Sequence, residues 1–230
     1  MKYCLFIFFG FFCVANSAAQ DTLARRERLS DTVTAHYHVL STAPDVKIGL
    51  YTVFLHRRWL IARGNYNNGK KVGVWQFFDT MGRLNEKYNY DKKIFTYEAP
   101  LYSSRDFSFL FDDSIKMSDK LTRPLKVGGI YYGFLPYLNI FTVPFDTEDI
   151  STSFFNVYIE LLISPMGRLA DYKIRVVSDD YNYDEIFNID VHLFSDEDRT
   201  FTPATLNGTP VMSRILIRCT LTPKGGLDFY

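Results

Sequence analysis

An internal repeat with an offset of 24 residues constrains the possible folds of this chain more than any other feature. Residues 49–67 align with residues 73–91 without a gap, and five identical pairs recur: Gly49 and Gly73, Phe54 and Phe78, Leu60 and Leu84, Asn65 and Asn89, and Tyr66 and Tyr90. A fixed short period is typical of stacked supersecondary units. Each copy contains two aromatic-rich segments separated by a turn, and Asn68-Gly69, a pair favoured in tight hairpin turns, lies between the copies. The repeat therefore predicts an antiparallel meander of β-hairpins, with Thr32–Leu40 as the strand leading into it.

The second copy resembles the MORN-type repeat. Its segment 66–84 follows the pattern Y-x-N-G-K-x-x-G-x-W-x-x-Y-D-x-x-G-x-L, with Phe78 in the place of the second tyrosine. The first copy is degenerate, because Arg57-Arg58-Trp59 stands where the inner glycine would be. Over residues 46–91 the resemblance implies a β-hairpin array that acts in spacing or in contact with a partner.

The composition supports strands and argues against a nucleic-acid binder. Aromatic residues make up 17% of the chain, with 21 Phe and 16 Tyr, and aromatic side chains favour strands. Lys and Arg together number 26, as do Asp and Glu, so the formal net charge is zero. A general nucleic-acid binder would normally carry a basic excess.

The N-terminal segment predicts export. Lys2 is the only charged residue before Asp21, an apolar run covers residues 3–15, and Ser17 and Ala19 are small. These features describe a signal peptide over residues 1–19, cleaved so that the mature chain begins near Gln20. The apolar run is shorter than the roughly 17–25 residues that a spanning helix needs. We therefore expect a soluble protein in the periplasm.

The C-terminal half shows three alternating segments and one segment with helical spacing. Residues 154–163 and 169–177 predict a hairpin, and Val211–Leu221 predicts a last strand. Asp184–Phe194 has apolar residues at helical spacing with Asp184 as the N-cap, and a second short helix is expected within 130–140. The prediction is thus a β-rich α+β chain: a meander over residues 20–98, then a β-β-α-β domain over residues 99–230.

The second half resembles the C-terminal domain of TonB. The hairpin carries Gly167-x-Leu169-x-Asp171, and the later segment carries Phe201-x-Pro203-Ala204 followed by N-G-x-P-V at 207–211. The resemblance spans about residues 123–221. It implies a small α+β domain whose last strand is an exposed edge, to which a short peptide of an outer-membrane transporter adds as a further strand.

On this chain the edge would be Val211–Leu221. Its inward side chains would be Val211, Ser213, Ile215, Ile217, Cys219 and Leu221. Its outward side chains are the predicted partner-binding residues: Met212, Arg214, Leu216, Arg218 and Thr220. An energy transducer also keeps a membrane helix and a long Pro-rich spacer, whereas the nine prolines here are scattered.

Other candidate sites give no prediction of chemistry. His36 and His38 would share one face of a strand, but the chain has only four His, so surface packing is preferred over a metal pair. Cys219 lies in an alternating apolar pattern, which favours the core over a nucleophile. We therefore predict no enzyme activity, no catalytic residue, no cofactor, no metal and no small-molecule substrate.

Two hypotheses for function follow. The first is a periplasmic interaction protein whose TonB-like domain binds a partner peptide or strand, with an outer-membrane transporter as one candidate partner. The alternative is a structural, envelope-associated module in which the hairpins make the contact through exposed aromatic side chains, Trp75 and Phe77 among them.

Overall fold

The computed structural model describes residues 21–100, 106–111 and 115–230. The predicted signal peptide lies outside these residues. Within them the protein is β-rich, with antiparallel sheets, one short α-helix and three single-turn 3-10 helices. None of the helices in these ranges is long and apolar enough to cross a membrane.

Seven strands form the predicted N-terminal meander, each antiparallel to the next in chain order. They are β1 (Thr22–Arg28), β2 (Val33–Leu40), β3 (Ala43–Leu55), β4 (Trp59–Asn67), β5 (Lys70–Phe78), β6 (Leu84–Asn89) and β7 (Ile94–Glu98). The two repeat copies are the hairpins β3–β4 and β5–β6, as predicted. Between the copies, Asn68 and Gly69 have φ of 47° and 77°, the positive values that a tight hairpin turn requires. In the degenerate copy, His56 and Arg57 adopt the same region with φ of 49° and 58°.

A second sheet is built from the C-terminal half. Its strand order is β12 (Tyr183–Asn188), β11 (Leu169–Ser178), β10 (Asn156–Ile163), β15 (Ser213–Leu221) and β16 (Leu227–Phe229), and β8 (Phe107–Phe111) also pairs with β15. The predicted hairpin is confirmed as β10–β11. A small third sheet contains β9 (Leu121–Thr122), β13 (Ala204–Leu206) and β14 (Thr209–Val211).

The prediction of a helix over Asp184–Phe194 is wrong. The chain turns back at Asp179–Asn182, where Asn182 has a φ of 46°, and continues as β12 paired with β11. Ile186, which the helical pattern placed among the apolar positions, is 58% exposed. Only residues 191–193 are helical, as a single 3-10 turn. Strand β12 gives β11 a second neighbouring strand. The backbone hydrogen bonds between them outweigh the helical spacing of apolar residues in 184–194.

The prediction that Val211–Leu221 is an edge strand is also wrong. β15 pairs with β10 over residues 213–220 on one side. On its other side it pairs with β8 over residues 213–217 and with β16 over residues 219–221. The assignment of its two faces is confirmed for β15, because Ser213, Ile215, Ile217, Cys219 and Leu221 are buried and the intervening side chains are partly exposed.

Buried side chains of the two larger sheets form one continuous hydrophobic cluster with residues 131–141. That segment contains a 3-10 turn (Tyr132–Phe134) and helix α1 (Leu135–Asn139), which confirms the predicted short helix. Pro136 lies in the first turn, where a missing amide hydrogen costs the helix nothing. The predicted boundary at residues 98–99 falls between the two sheets, and as a domain boundary it stays a prediction.

A buried carboxylate joins β16 to the turn between β1 and β2. Asp228 is 2% exposed. It accepts hydrogen bonds from the amide of Thr32 at 2.8 Å, from the hydroxyl of Thr32 at 2.7 Å and from the hydroxyl of Ser30 at 3.1 Å. These bonds satisfy a charge that would otherwise be costly to bury.

Candidate functional site

A cavity of about 370 Å³ lies between the inner face of the meander, residues 126–139 and the acidic loop 195–199; we call it the junction pocket. It combines ammonium groups, phenol rings and carboxylates. Its polar lining includes Lys47, Lys71, Lys126, Tyr51, Tyr66, Tyr132, Asn139, Glu197 and Asp198.

The first repeat copy contributes a lysine over aromatic rings. The Nζ atom of Lys47 lies 5.2 Å from the ring centroid of Tyr51 and 5.8 Å from that of Tyr66. It also lies 4.5 Å from the ring of Tyr37 on β2 and 3.2 Å from a carboxylate oxygen of Glu27 on β1. The ammonium group is thus held by cation–π contacts and by a close ion pair.

The second copy contributes Lys71 at the equivalent position. Its Nζ atom lies 5.4 Å from the ring of Trp75 and 5.1 Å from that of Tyr90, the residues that correspond to Tyr51 and Tyr66. Lys71 also donates a hydrogen bond to the Tyr90 hydroxyl at 3.3 Å. The repeat therefore places two similar lysine–aromatic units side by side on one face of the sheet.

Tyr132 packs onto these units from the opposite wall. Its ring lies 6.3 Å from that of Trp75 and 5.9 Å from that of Phe77, stacked in both cases. The chain approaches so closely that a Cβ on Gly129 would lie 2.8 Å from the Cβ of Phe77. Gly129 also has a φ of 65°, which favours glycine. The close approach of residues 128–132 therefore depends on glycine.

The acidic loop closes the pocket over two lysines. Lys126, only 5% exposed, donates to the backbone oxygen of Glu197 at 3.0 Å and lies 3.6 Å from a carboxylate oxygen of Asp198. The carboxylate of Glu197 lies 3.9 Å from Lys71, and its side chain is 70% exposed. Tyr137 donates a hydrogen bond to the backbone oxygen of Asp198 and holds the loop from beneath.

Burial shifts the pKa values of the pocket in a consistent way. Desolvation lowers the pKa of Lys71 and of Lys126, although Glu197 and Asp198 oppose this shift. Desolvation raises the pKa of Tyr66 to about 12 and that of Tyr51 further. The phenols therefore keep their protons at neutral pH, and the pocket offers hydroxyl donors beside ammonium groups.

The predicted partner-binding residues lie elsewhere. Arg214, Leu216, Arg218 and Thr220 share the outer face of β15, and Met212 directly precedes that strand. Arg214 forms an ion pair with Glu160 at 3.1 Å, and the guanidinium of Arg218 lies 4.1 Å from the ring centroid of Tyr230. None of the five lines the junction pocket.

The structure also places three other groups that the sequence singles out. Trp75 and Phe77, expected to be exposed contact residues, are fully buried, because they form the inner face of the meander. Cys219 is 1% exposed, and burial raises the pKa of its thiol, which confirms a core role. His36 and His38 are exposed on β2, and the described residues contain no group of three or more His, Cys, Asp or Glu suited to a metal ion.

Only some of the pocket residues belong to a pattern that the sequence displays. Lys47 and Lys71 match across the repeat, so their equivalence was visible. Lys126, Tyr132 and Glu197 come from irregular segments, and no periodicity or motif predicts that they meet. No family model matches the chain, and no curated protein or solved structure matches it.

Proposed function

We propose that this is a non-enzymatic interaction protein of an exported compartment, and that it binds an extended segment of a protein partner by strand addition. The MORN-like pattern of residues 46–91 and the TonB-like pattern of residues 123–221 are part of this proposal. The partner class is an envelope protein, with an outer-membrane transporter as the first candidate. The single observation that carries the proposal is the character of edge strand β8.

β8 is the edge strand of the second sheet that lacks protective charges. Edge strands usually carry charged side chains, which discourage pairing with other chains. β1 carries Arg25, Arg26 and Arg28, and β12 carries Asp184 and Glu185. The sequence of β8 is FSFLF, with Leu110 46% exposed and no charge at all. Among the described strands β8 pairs only with β15, and the partner strand of this proposal would add on its other side.

The position of β8 also accounts for the wrong prediction of the edge. The chain's own residues 107–111 occupy the side of β15 where an external strand was expected. A partner would therefore add to β8 and extend the same sheet by one strand. Backbone hydrogen bonds would supply affinity, and Leu110 on the outer face would supply an apolar contact.

The test uses Leu110→Lys, which places a charge on the exposed side of the edge. Met166→Lys is the matched control, because Met166 is 87% exposed in the β10–β11 turn. Purified protein is incubated with detergent-extracted envelope proteins, and the retained proteins are identified. We expect Leu110→Lys to weaken retention of a specific partner by at least about tenfold, equivalent to ~1.4 kcal/mol, and Met166→Lys to leave it unchanged.

Arg218→Ala distinguishes binding at the β8 edge from binding on the outer face of the sheet. Arg218 belongs to the outer face of β15 and not to the β8 edge. If Arg218→Ala abolishes retention while Leu110→Lys does not, the partner binds the face and strand addition is wrong. Circular dichroism of all three variants establishes that each still folds.

A second candidate, the structural module, is supported by the outer face of the meander. Directly paired residues form one row across all seven strands: Arg26, His36, Thr52, Arg63, Gln76, Lys87 and Tyr97. The row carries three permanent positive charges and no acidic residue. In this case Arg63→Glu combined with Lys87→Glu would abolish partner retention, and Leu110→Lys would have no effect.

A further inference from the structure

The junction pocket is distinct from the β8 edge, and the two share no residue. Three ammonium groups meet in it, but they are not equally neutralised. Lys47 has Glu27 at 3.2 Å, and Lys126 has Asp198 at 3.6 Å and a backbone oxygen at 3.0 Å. Lys71 has its nearest carboxylate, that of Glu197, at 3.9 Å.

Glu197 is weakly held where it approaches Lys71. Its side chain is 70% exposed, whereas that of Lys71 is 23% exposed. An ion pair of this length with one exposed partner contributes little to stability. The Glu197 carboxylate can therefore swing into solvent at low cost, and another carboxylate can take its place.

The aromatic surroundings of Lys71 indicate which kind of molecule would carry the carboxylate that replaces Glu197. The rings of Trp75, Tyr90 and Tyr132 lie 5.1–5.5 Å from its ammonium group. The rings that line the pocket itself are those of Tyr51, Tyr66 and Tyr132. A cavity of about 370 Å³ is at the small end of the range for ligand sites, and aromatic walls with a few polar groups are typical of such sites. The pocket suits a compact apolar or aromatic body that ends in one negative charge.

We propose that the junction pocket is a binding site for a carboxylate on an aromatic or apolar group, and that this carboxylate displaces Glu197 from Lys71. The same chemistry is present in a free aromatic acid and at the C-terminus of a peptide that ends in an aromatic residue. This binding site does not depend on strand addition at β8.

The chain provides its own reporter for this site. It has two tryptophans, and Trp59→Phe leaves Trp75, which packs against Lys71, as the only one. Phenylacetate is titrated into this variant at constant ionic strength, and Trp75 fluorescence is recorded. Phenylacetamide, which has the same shape without the charge, is the ligand control. We expect saturable change with phenylacetate and none with phenylacetamide.

Three variants in the Trp59→Phe background test the displacement. Glu197→Gln removes the competing charge and should tighten binding by about fivefold, the effect of one weak ion pair. Lys71→Met should weaken binding at least about tenfold. Lys70→Met is the matched control, because Lys70 is exposed at the start of β5 and does not line the pocket, so the affinity of this variant should not change.

A second arm distinguishes the two sources of the carboxylate. A tripeptide ending in phenylalanine is compared with its C-terminal amide and with phenylacetate. Tighter binding of the free peptide than of phenylacetate assigns the site to a peptide terminus, and the reverse assigns it to a small acid.

The proposal is overturned if no carboxylate changes Trp75 fluorescence, if the amides bind equally well, or if Glu197→Gln leaves affinity unchanged. Because the Glu197 side chain is exposed, Glu197→Gln should fold, and it tests the displacement even if Lys71→Met does not fold.

Discussion

Lys47 and Lys71 occupy equivalent positions in two copies of one hairpin, yet their surroundings differ. The first copy lies beside β1, which supplies Glu27 at 3.2 Å. The second copy lies beneath Tyr132 and the acidic loop, where the nearest carboxylate is at 3.9 Å. The repeat determines where each lysine leaves the backbone and which rings lie beside it. The charge that each lysine meets depends on segments outside the repeat.

The two copies also differ in how they accommodate their central ring. Trp75 packs directly on the backbone of Gly64 in the neighbouring strand. The residue that corresponds to Gly64 in the second copy is Tyr88. Trp75 is larger than Tyr51, its counterpart in the first copy. The larger ring fits because the neighbouring strand has a glycine at position 64, and only the first copy has that glycine.

The largest expected effect comes from Gly64→Ala. The new Cβ would lie 2.2 Å from the indole of Trp75, which is fully buried and cannot retreat. We expect a loss of about 3–4 kcal/mol in the free energy of unfolding, because overpacking must displace the ring. Urea unfolding measures it, with Asn65→Ala, at an exposed neighbouring position, as the control. A double-mutant cycle with Trp75→Ala should be strongly non-additive, and additivity would refute direct contact as the cause.

A second difference concerns Glu86, whose counterpart in the first copy is Ala62. Glu86 is 1% exposed, and its carboxylate oxygen accepts a hydrogen bond from the amide of Gly128 at 2.9 Å. Burial raises the pKa of Glu86 to about 7, from an ordinary value of 4.5. Between these values the folded state binds a proton that the unfolded state has lost.

The free energy of unfolding should therefore fall as pH rises from 4.5 through 7, by at most about 3 kcal/mol from this group. Glu86→Gln should remove this part of the pH dependence, because the amide has no proton to lose. Denaturant midpoints measured from pH 4.5 to pH 8 check it. A variant whose stability varies with pH as steeply as the wild type would show that Glu86 is not the titrating group.

The smallest expected effects compare Lys71→Met with Lys47→Met in the ligand-free protein. Lys71→Met replaces a partly buried ammonium group with an apolar chain of similar length, so stability should stay equal or rise by about 1 kcal/mol. Lys47→Met leaves Glu27 without its partner and should cost less than about 1 kcal/mol. Thermal unfolding of both variants measures the difference. Equal changes of the same sign would mean that the two lysines do not differ as described.

The strands of this protein were predictable where one face is buried and the other is solvated. Alternation identified β10, β11 and β15, and the Asn-Gly pair identified the turn between the repeat copies. The same approach failed at β12, whose Ile186 is apolar but exposed. A short segment that mixes charged and apolar residues matches both the helical and the strand period. It becomes a strand because it pairs with the side of β11 that β10 does not occupy.

The site was less predictable than the strands, because it depends on contacts between distant segments. Whether β15 is an edge depends on where β8 lies, and β8 precedes it by about a hundred residues. The junction pocket likewise needs Lys126, Tyr132 and Glu197 to meet the repeat. Only the two repeat lysines belonged to a pattern that the sequence displays.

The bonds of Asp228 have a consequence for the order of folding. They connect β16 to a turn that is 196 residues away along the chain, and contacts of such separation form slowly because the intervening chain must first be ordered. The turn between β1 and β2 therefore stays incompletely fixed until the second sheet has formed. In a refolding experiment followed by hydrogen exchange, the amide of Thr32 should gain protection late, after the amides of the β4–β5 hairpin.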